Sequence, residues 1–380
     1  IPPVAHPEIV SGRASEEVRL PVGAAKRLIQ DAFVALGVPE DDASICVDVL
    51  ISSDLRGIES HGIGRLKYYC DRIRLGIQLP VTVLEVVRET ETTVVLDGHH
   101  GMGHVIAYRA MRMAIGKARR YGLGAAAVRY STHFGIAGYY SLMAAEEGMI
   151  GLTVTNARPA MAPTFGTQPM LGTNPIAFAA PSDGPFPFCY DGATPITQRG
   201  KIEVLARAEK PVPEGWLIDA QGRPSTNAEQ ILKALDKGQA AFLPLGGHGE
   251  AMGGHKGYGL GTMVEILSAS LAGGAFLQDL LGVDEKGARR PFMLGHFFLA
   301  MDVDHFVPLE ESRHTTGQIM RQLQASRKEP GHERIYVAGE KEYESVQRVT
   351  RDGIGLNANL RRDLRAVCDD LHLEGYDEWL

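Results

Sequence analysis

The sequence predicts an α/β protein with more than one domain. Its 380 residues exceed what one hydrophobic core usually takes up, and 44% of them are hydrophobic, which supplies ample apolar side chains for two cores. Short apolar runs separated by turns alternate with helical periodicity through the middle of the chain, whereas helical periodicity prevails near both ends. We therefore expect a central α/β region with helices before and after it.

Two helices are predicted near the start of the chain. Helical periodicity covers residues 22–36 and stops at Gly37, and the acidic residues 40–42 open a second helix toward Leu55. Such a pair could read DNA as a helix-turn-helix, but its acidic turn and a net charge of -7 favour antiparallel packing. The same charge argues against nucleic-acid binding in general. Before these helices, the prolines of residues 1–7 indicate an extended arm.

A glycine turn between a strand and a helix imitates a dinucleotide-binding site. The strand is expected at residues 92–96 and the helix at residues 105–121, with Gly101-Met102-Gly103 in the turn. The third glycine of the dinucleotide pattern is replaced by Ile106, and Arg129, at the tip of the next strand, stands where an acidic ribose ligand is expected. We therefore interpret this turn as structural.

The remaining elements continue the alternation of strands and helices. Strands are predicted at residues 125–128, 152–155 and 175–179, and helical periodicity covers residues 200–208, 260–271, 310–329 and 340–380. Residues 211–224 are predicted to be a loop with a turn at residues 220–222. Either Asn357 or Asn359 can cap the last helix.

Cysteine usage and hydropathy indicate a cytoplasmic protein. Its four cysteines are widely separated and have no metal-ligand spacing, so reduced thiols are the simplest interpretation. No apolar run is long enough to cross a membrane, and the opening residues lack the regions of a signal peptide. We expect neither a metal nor a membrane partner.

Two glycine-punctuated segments present histidines suited to proton transfer. One is Ser131-Thr132-His133-Phe134-Gly135, and the other is Ser60-His61-Gly62-Ile63-Gly64-Arg65. Either histidine could transfer a proton or only support the turn that contains it. Arg65 could hold a substrate carboxylate through two parallel hydrogen bonds, or it could form a surface ion pair with Asp71.

Two further segments suit the binding of a cofactor. Gly253-Gly254-His255-Lys256-Gly257-Tyr258-Gly259 precedes an apolar helix, whose free amides and partial positive charge, together with Lys256, could hold a phosphate. The same residues also fit a flexible loop with a solvated lysine, and taken alone they favour neither interpretation. Thr173-Asn174, in Leu171-Gly172-Thr173-Asn174-Pro175, offers uncharged donors and acceptors on a rigid turn.

These four motifs, in this order, resemble those of the malate/L-lactate dehydrogenase family, from about residue 20 to the turn Ala338-Gly339-Glu340. The resemblance implies a non-Rossmann α/β cofactor domain with a mixed sheet, and a helical domain formed by both chain ends. The implied boundaries are residues 1–90 for the arm and first helical part, 91–305 for the cofactor domain, and 306–380 for the second helical part. The resemblance also implies a homodimer that uses NAD or NADP.

The resemblance further implies a reaction: oxidation of a small anionic 2-hydroxy acid, foremost malate or a lactate- or sulfolactate-like acid, to the 2-oxo acid by hydride transfer. The alternative is reduction of another 2-oxo acid or a cyclic imine, as in the diketogulonate, ureidoglycolate and piperideine-carboxylate enzymes. His133 is implied as the principal proton-transfer group, with His61 as orienting residue or alternate acid, Ser60 as a hydrogen-bond partner and Arg65 as the carboxylate ligand. The implied cofactor residues are Thr173, Asn174, Asp191, Ala193, Lys256, Gly257, Gly339 and Glu340.

Two positions depart from the family pattern. Gly192 follows Asp191 where the family usually has methionine in Asp-Met-Ala, which puts the shape of that wall in doubt. Arg158 stands where relatives often carry a small or uncharged residue, so it is either a second anion contact or an exposed charge.

Other functional classes fit the sequence less well. A serine hydrolase would need Gly-x-Ser-x-Gly, but the first glycine before Ser60 is missing. A zinc enzyme could use His99, His100 and His104, but no His-Glu-x-x-His motif accompanies them. A non-catalytic binding protein would be expected to lose the basic and histidine residues that this chain retains.

Overall fold

The structure, a computed structural model, describes residues 18–380, so the predicted arm at residues 1–7 lies outside the described residues. Its strands are β1 (Val18–Leu20), β2 (Glu85–Glu89), β3 (Thr93–Asp97), β4 (Leu123–Ser131), β5 (Met149–Thr155), β6 (Ile176–Ala180), β7 (Phe188–Gly192), β8 (Leu217–Asp219), β9 (Ala240–Phe242), β10 (Leu294–Asp302) and β11 (Ile354–Leu356). Its α-helices are α1 (Val22–Ala35), α2 (Glu40–Leu55), α3 (Leu66–Arg74), α4 (Gly103–Tyr121), α5 (Ala137–Glu146), α6 (Arg199–Arg207), α7 (Ala228–Asp236), α8 (Gly254–Ala269), α9 (Leu309–Ala325), α10 (Glu340–Asp352) and α11 (Ala358–Leu371).

A mixed sheet occupies the centre of the described chain, with the strand order β2-β3-β4-β10-β5-β6-β7. Within residues 18–380, β3 and β4 are the only parallel neighbours in this sheet, and every other pair is antiparallel. β10 comes from far along the chain and lies between β4 and β5. This order differs from the doubly wound parallel sheet of a Rossmann fold, and it confirms the predicted non-Rossmann α/β fold.

Helices α4 and α5 cover one core of this sheet. Fully buried side chains such as Ile106, Val128, Tyr140 and Phe298 pack together there. α4 lies so close to β4 that a side chain added at Gly124 would meet the backbone of α4. The helix and strands predicted around this core are confirmed, whereas β10 was not predicted.

A second core is built from both ends of the chain. It combines apolar residues of α1, α2 and α3, such as Phe33 and Leu50, with residues of α11 such as Leu364. β1 pairs with β11 and joins the two ends through an antiparallel ladder that pairs Leu20 with Ile354. The predicted helical domain from both chain ends is therefore confirmed, and its helical hairpin is an ordinary packed pair.

The second chain end is not a continuous helix over residues 340–380. Gly353, with φ at +80°, ends α10, and the short strand β11 separates it from α11. Asn357 caps α11 by accepting a hydrogen bond from the Leu360 amide at 3.0 Å. The domain boundaries at residues 90 and 305 stay a prediction.

A smaller core holds α6, α7, β8 and β9 together through residues such as Ile202, Ile231 and Phe242. The predicted loop at residues 211–224 contains the short strand β8, which pairs with β9. Helix α8 follows this region and returns the chain to the sheet, where it packs on β10. None of the helices described in residues 18–380 is long and apolar enough to cross a membrane.

Candidate active site

His133 lies in a tight turn between β4 and α5 that is fixed on both sides. Thr132 donates from Oγ1 to the Gly101 carbonyl at 2.8 Å and accepts from the Gly103 amide at 2.9 Å. Phe134 is 3% exposed and packs in the core of the sheet. A side chain added at Gly103 would meet the carbonyl oxygens of Thr132 and His133. The glycine turn that imitates a dinucleotide site is therefore structural, because it positions the backbone of His133.

His61 lies between α2 and α3 in a segment that Asp54 holds in place. The buried carboxylate of Asp54 accepts a hydrogen bond from the Ile63 amide at 2.7 Å. A side chain added at Gly62 would overlap that carboxylate. The hydroxyl of Ser60 lies 2.8 Å from Nδ1 of His61, as expected for a hydrogen-bond partner. Asp54 thus fixes the backbone on which His61 and its neighbours are carried.

Arg65 begins the approach to α3 without an ion pair. Its Nε donates to the Ser60 carbonyl at 2.7 Å, and its guanidinium lies 5.8 Å from the ring centroid of Tyr68. Asp71, the alternative partner considered from the sequence, pairs instead with Lys67 at 2.6 Å. Among residues 18–380, no carboxylate forms a salt bridge with Arg65. Its side chain is therefore open to an anionic ligand.

The two predicted histidines meet at the boundary between the helical core and the sheet. The rings of His61 and His133 stack with centroids 5.4 Å apart and planes 25° apart. The hydroxyl of Tyr69, on α3, lies 2.6 Å from Nδ1 of His133. Because Nδ1 is engaged by Tyr69, Nε2 is the ring nitrogen of His133 that remains for a substrate.

Burial keeps both histidines neutral. It lowers the pKa of His133 well below the usual value, and repulsion from the neighbouring basic groups, His61 and Arg65 first, lowers it further. Burial, and then Arg65, lower the pKa of His61 to about 4. Burial also raises the pKa of Tyr69 well above its usual value, so its hydroxyl stays protonated. A neutral imidazole beside a hydroxyl that can donate or accept is suited to receive a proton.

The histidines considered as zinc ligands have other surroundings. His99 pairs with Glu85 at 2.8 Å, and the ring of His104 packs against Tyr69 with centroids 4.7 Å apart. Residues 18–380 contain no group of three or more His, Cys, Asp or Glu residues that could hold a metal ion.

The predicted cofactor residue Asn174 is bonded to helix α8. It adopts a φ of +36°, is fully buried, and donates from Nδ2 to the Gly261 carbonyl at 2.9 Å and to Glu265 at 2.8 Å. The carbonyl of Thr173 accepts a hydrogen bond from the Thr194 amide at 3.0 Å. Ala193, the residue before Thr194, therefore lies close to the turn that contains Asn174. The Oδ1 atom of Asn174 is buried without a hydrogen-bond partner among the described residues. These polar groups fit a ligand that donates a hydrogen bond, such as a carboxamide.

Lys256 is exposed in the first turn of α8, as the sequence predicts. Gly254 and Gly257 are buried, and side chains there would meet the backbone of Gly247 and Leu245. The glycines therefore let two backbone segments pack closely, and this packing presents the start of α8 with Lys256. A positive side chain at the N-terminus of a 16-residue helix fits a phosphate.

A cavity of about 720 Å³ runs along the same helix. Its lining is mostly apolar and includes Leu171, Tyr258, Thr262, Glu265 and Phe276. Glu265 is the buried group that also holds Asn174. The cavity thus lies beside the predicted cofactor residues of α8 and of the turn before β6, and its volume is in the range of small-molecule sites.

Three other predicted cofactor residues lie around β7 and make contacts within the chain. Asp191 accepts from the Gly138 amide at 2.7 Å, at the start of α5. Gly339 has a φ of +94°, and a side chain there would approach the Pro187 carbonyl. Glu340 accepts from the Val337 amide at 3.1 Å and forms further bonds with Gln324 and Arg334. Their role toward a cofactor stays a prediction.

The family assignment follows from comparison with known proteins. The family model described as malate/L-lactate dehydrogenase matches residues 20–365. The chain belongs to the malate/L-lactate dehydrogenase family. The resemblance stated from the four motifs is confirmed, as is the enzyme class of oxidoreductase.

Members of the malate/L-lactate dehydrogenase family resemble this chain over nearly its whole length. It is 43% identical over 358 residues to malate dehydrogenase of Pyrococcus horikoshii, covering 94% of this chain and 97% of the relative. It is 38% identical over 358 residues to L-sulfolactate dehydrogenase of Methanocaldococcus jannaschii, covering 93% and 98%. Among solved structures, malate dehydrogenase from Entamoeba histolytica is 43% identical with a TM-score of 0.91, covering 95% and 99%.

The names of two more distant relatives in the malate/L-lactate dehydrogenase family specify a cofactor. Ureidoglycolate dehydrogenase (NAD(+)) of Escherichia coli strain K12 is 28% identical over 352 residues. (2R)-3-sulfolactate dehydrogenase (NADP(+)) of Chromohalobacter salexigens is 34% identical over 282 residues.

Several site residues escaped the sequence analysis of this family member. Tyr69 follows Arg65 at helical spacing i+4, so a helix prediction over residues 66–74 would have placed it on the same face. Asp54 had a weaker signal, the side-chain-free Gly62 beside His61, which indicates a close approach by another group. Glu265 had none, because a lone glutamate in an apolar helix does not reveal its partners.

Proposed function

We propose that this protein catalyses the NAD(P)-dependent oxidation of a small anionic 2-hydroxy acid, with malate the leading substrate, and the reverse reduction of the 2-oxo acid. The observation that carries the proposal is the contact of Tyr69 with Nδ1 of His133, beside His61 and the unpaired Arg65. Malate leads because it is named for a relative that is 43% identical over most of both chains.

His133 is the proposed proton-transfer group. In oxidation, its neutral Nε2 takes the proton of the substrate hydroxyl while a hydride leaves the same carbon, so the C–OH group becomes a C=O group. The nicotinamide cofactor, when bound, accepts that hydride. The imidazolium that results keeps a proton on Nδ1, which the Tyr69 oxygen can accept at 2.6 Å. In reduction the same proton returns to the oxygen of the 2-oxo acid.

Arg65 and His61 hold the substrate in this proposal. The Nε atom of Arg65 is occupied by the Ser60 carbonyl, so the terminal nitrogens are the ones that meet the carboxylate. Nδ1 of His61 is engaged by the Ser60 hydroxyl, which leaves Nε2 of His61 for the substrate. In this proposal His61, stacked beside His133, orients the substrate oxygen.

The cofactor is proposed to lie along α8. Lys256 and the start of α8 would hold a phosphate, and Asn174 with its unpartnered Oδ1 would accept a hydrogen bond from an amide. The cavity of about 720 Å³ beside Glu265 gives room for part of the molecule. Both NAD and NADP suit these groups, because none of them distinguishes a ribose hydroxyl from a phosphate.

A substrate panel tests the proposal. Malate, lactate, sulfolactate and their 2-oxo acids, each with either cofactor, are followed by the absorbance of the reduced nicotinamide. Turnover of at least one pair, abolished in His133→Ala, supports the proposal. Turnover confined to a cyclic imine or to ureidoglycolate would favour the alternative reaction, and turnover that survives in His133→Ala would exclude His133 as the proton-transfer group.

A further inference from the structure

Arg72 is a buried arginine with two unpartnered guanidinium nitrogens. It lies on α3 and is 7% exposed. Its Nε and Nη2 atoms are buried and have no hydrogen-bond partner among the described residues, and no carboxylate in residues 18–380 forms a salt bridge with it. A buried guanidinium without a partner destabilises a folded chain. Its presence therefore indicates a use in binding.

The two unpartnered nitrogens lie on one edge of the guanidinium. Nε and Nη2 point their N–H bonds in the same direction, and this edge binds a carboxylate or similar anion through two parallel hydrogen bonds. The group also lies against two aromatic rings, with Phe292 at 3.9 Å and Tyr68 at 5.4 Å from the arginine Cζ to the ring centroids. The edge that recognises anions has no partner among the described residues.

Arg72 lies next to the candidate active site. The ring of Tyr68 that contacts Arg72 also contacts Arg65, at 5.8 Å, and its centroid is 6.3 Å from that of His133. Two guanidiniums therefore flank one aromatic ring beside the proposed proton-transfer group. A substrate held by Arg65 at one end has a second basic group within reach of its other end.

We propose that Arg72 is a specificity-determining residue that binds a second anionic group of the substrate, a carboxylate or a sulfonate two bonds from the hydroxyl-bearing carbon. This inference rests on the proposed function, since it takes the first carboxylate to lie on Arg65 and the reacting carbon at His133. The edge of Arg72 is shielded from solvent, so the substrate reaches it when the side chains that cover this edge move aside. The preferred substrate class is then a dianionic 2-hydroxy acid.

The first test compares substrates that differ only at the second group. Malate and 2-hydroxybutyrate carry a carboxylate and a methyl group at the same position, and sulfolactate carries a sulfonate. Arg72→Leu should lower kcat/KM for malate or sulfolactate by about 10-fold or more, because charged hydrogen bonds are lost, and should leave 2-hydroxybutyrate within about twofold. A loss on malate alone or on sulfolactate alone also supports the proposal and identifies the anion.

Arg74→Leu is the matched control, since Arg74 lies on the same helix but already pairs with Asp370 at 2.8 Å. It should leave the ratio of kcat/KM values between the two substrates unchanged. The proposal is overturned if Arg72→Leu lowers kcat/KM equally for malate and 2-hydroxybutyrate. It is also overturned if kcat/KM falls for neither malate nor sulfolactate.

The second test needs no turnover. Succinate, a dicarboxylate without a hydroxyl, should raise the Tm of the wild-type protein more than butyrate does, and this difference should disappear in Arg72→Leu while persisting in His133→Ala. Protection by succinate that survives in Arg72→Leu would overturn the inference even if malate is oxidised. Protection that depends on Arg72 in a protein that oxidises no hydroxy acid would instead keep the anion-binding site at Arg72 and overturn the proposed function.

Discussion

His104, Tyr69, His133 and His61 form a row of neighbouring rings in which no ring carries a charge at neutral pH. Adjacent centroids are 4.7, 5.9 and 5.4 Å apart. Burial lowers the pKa of all three histidines, to about 4 for His61 and about 3 for His104. A proton that a histidine of this row takes up during a reaction is therefore easily released again.

The first residue-scale prediction concerns His133. His133→Ala should lower kcat by roughly 100-fold or more, because a positioned acid/base group contributes about that much. Affinity for the reduced cofactor, measured by fluorescence titration, should be retained. The comparison variant is His61→Ala, and if that variant is inactive while His133→Ala turns over almost normally, the proton-transfer role belongs to His61.

The second prediction concerns His104, whose two ring nitrogens are buried without partners among the described residues. Burial lowers its pKa from the usual 6.5 to about 3 in the folded chain. Below pH 6.5, His104 therefore takes up a proton in the unfolded chain but not in the folded chain. The contribution of His104 to the free energy of unfolding is fully present above that pH and decreases as the pH falls. At pH 5 this residue costs the folded state about 2 kcal/mol relative to pH 8.

His104→Phe removes this titration and keeps an aromatic ring against Tyr69. Between pH 8 and pH 5, the free energy of unfolding should decrease by about 2 kcal/mol more in the wild type than in the variant. Urea unfolding at the two pH values measures it. A difference that is the same at both pH values would mean that His104 is not buried in its neutral form.

At the scale of elements, the segment between α2 and α3 depends on one close contact, that of Gly62 with Asp54. Gly62→Ala should force the segment away from Asp54 and lower kcat/KM by about 10-fold or more, since misplacement of catalytic groups by an ångström has effects of that size. Gly64→Ala is the matched control, because Gly64 is exposed and its added atom would meet nothing nearer than the Glu59 carbonyl at 3.5 Å. Equal activity of the two variants would show that the contact does not position the segment.

The start of α8 carries the next prediction. Lys256→Ala should weaken binding of the reduced cofactor by about 3–10-fold, because a charge at a helix N-terminus is lost from a phosphate site. Lys233→Ala, which removes an exposed lysine from the last turn of α7, should leave binding unchanged. If fluorescence titration gives the same affinity for both variants, the phosphate lies elsewhere.

At the scale of the whole molecule, the sequence predicted the elements better than their arrangement. Local patterns indicated α1, α2 and α4 almost to their ends, and the start of α11 but not its end, because periodicity and cap or stop signals lie within each segment. β10 escaped, since its place between β4 and β5 depends on strands far away in the sequence. Motifs likewise indicated His61, His133 and Arg65 as candidate site residues, but no motif contains Arg72 or Glu265, whose surroundings depend on residues far away in the sequence. The homodimer implied by the resemblance stays a prediction.

The position of β10 has a consequence for synthesis on the ribosome. Until residues 294–302 emerge, β2-β3-β4 and β5-β6-β7 are two separate half-sheets, with the facing edges of β4 and β5 unpaired. Synthesis proceeds at roughly 5–20 residues per second, so these two strand edges stay unpaired in the nascent chain for on the order of ten seconds. Unpaired edges are templates for pairing with another chain. Nascent chains therefore need shielding during this interval, and closure of the sheet by β10 ends it.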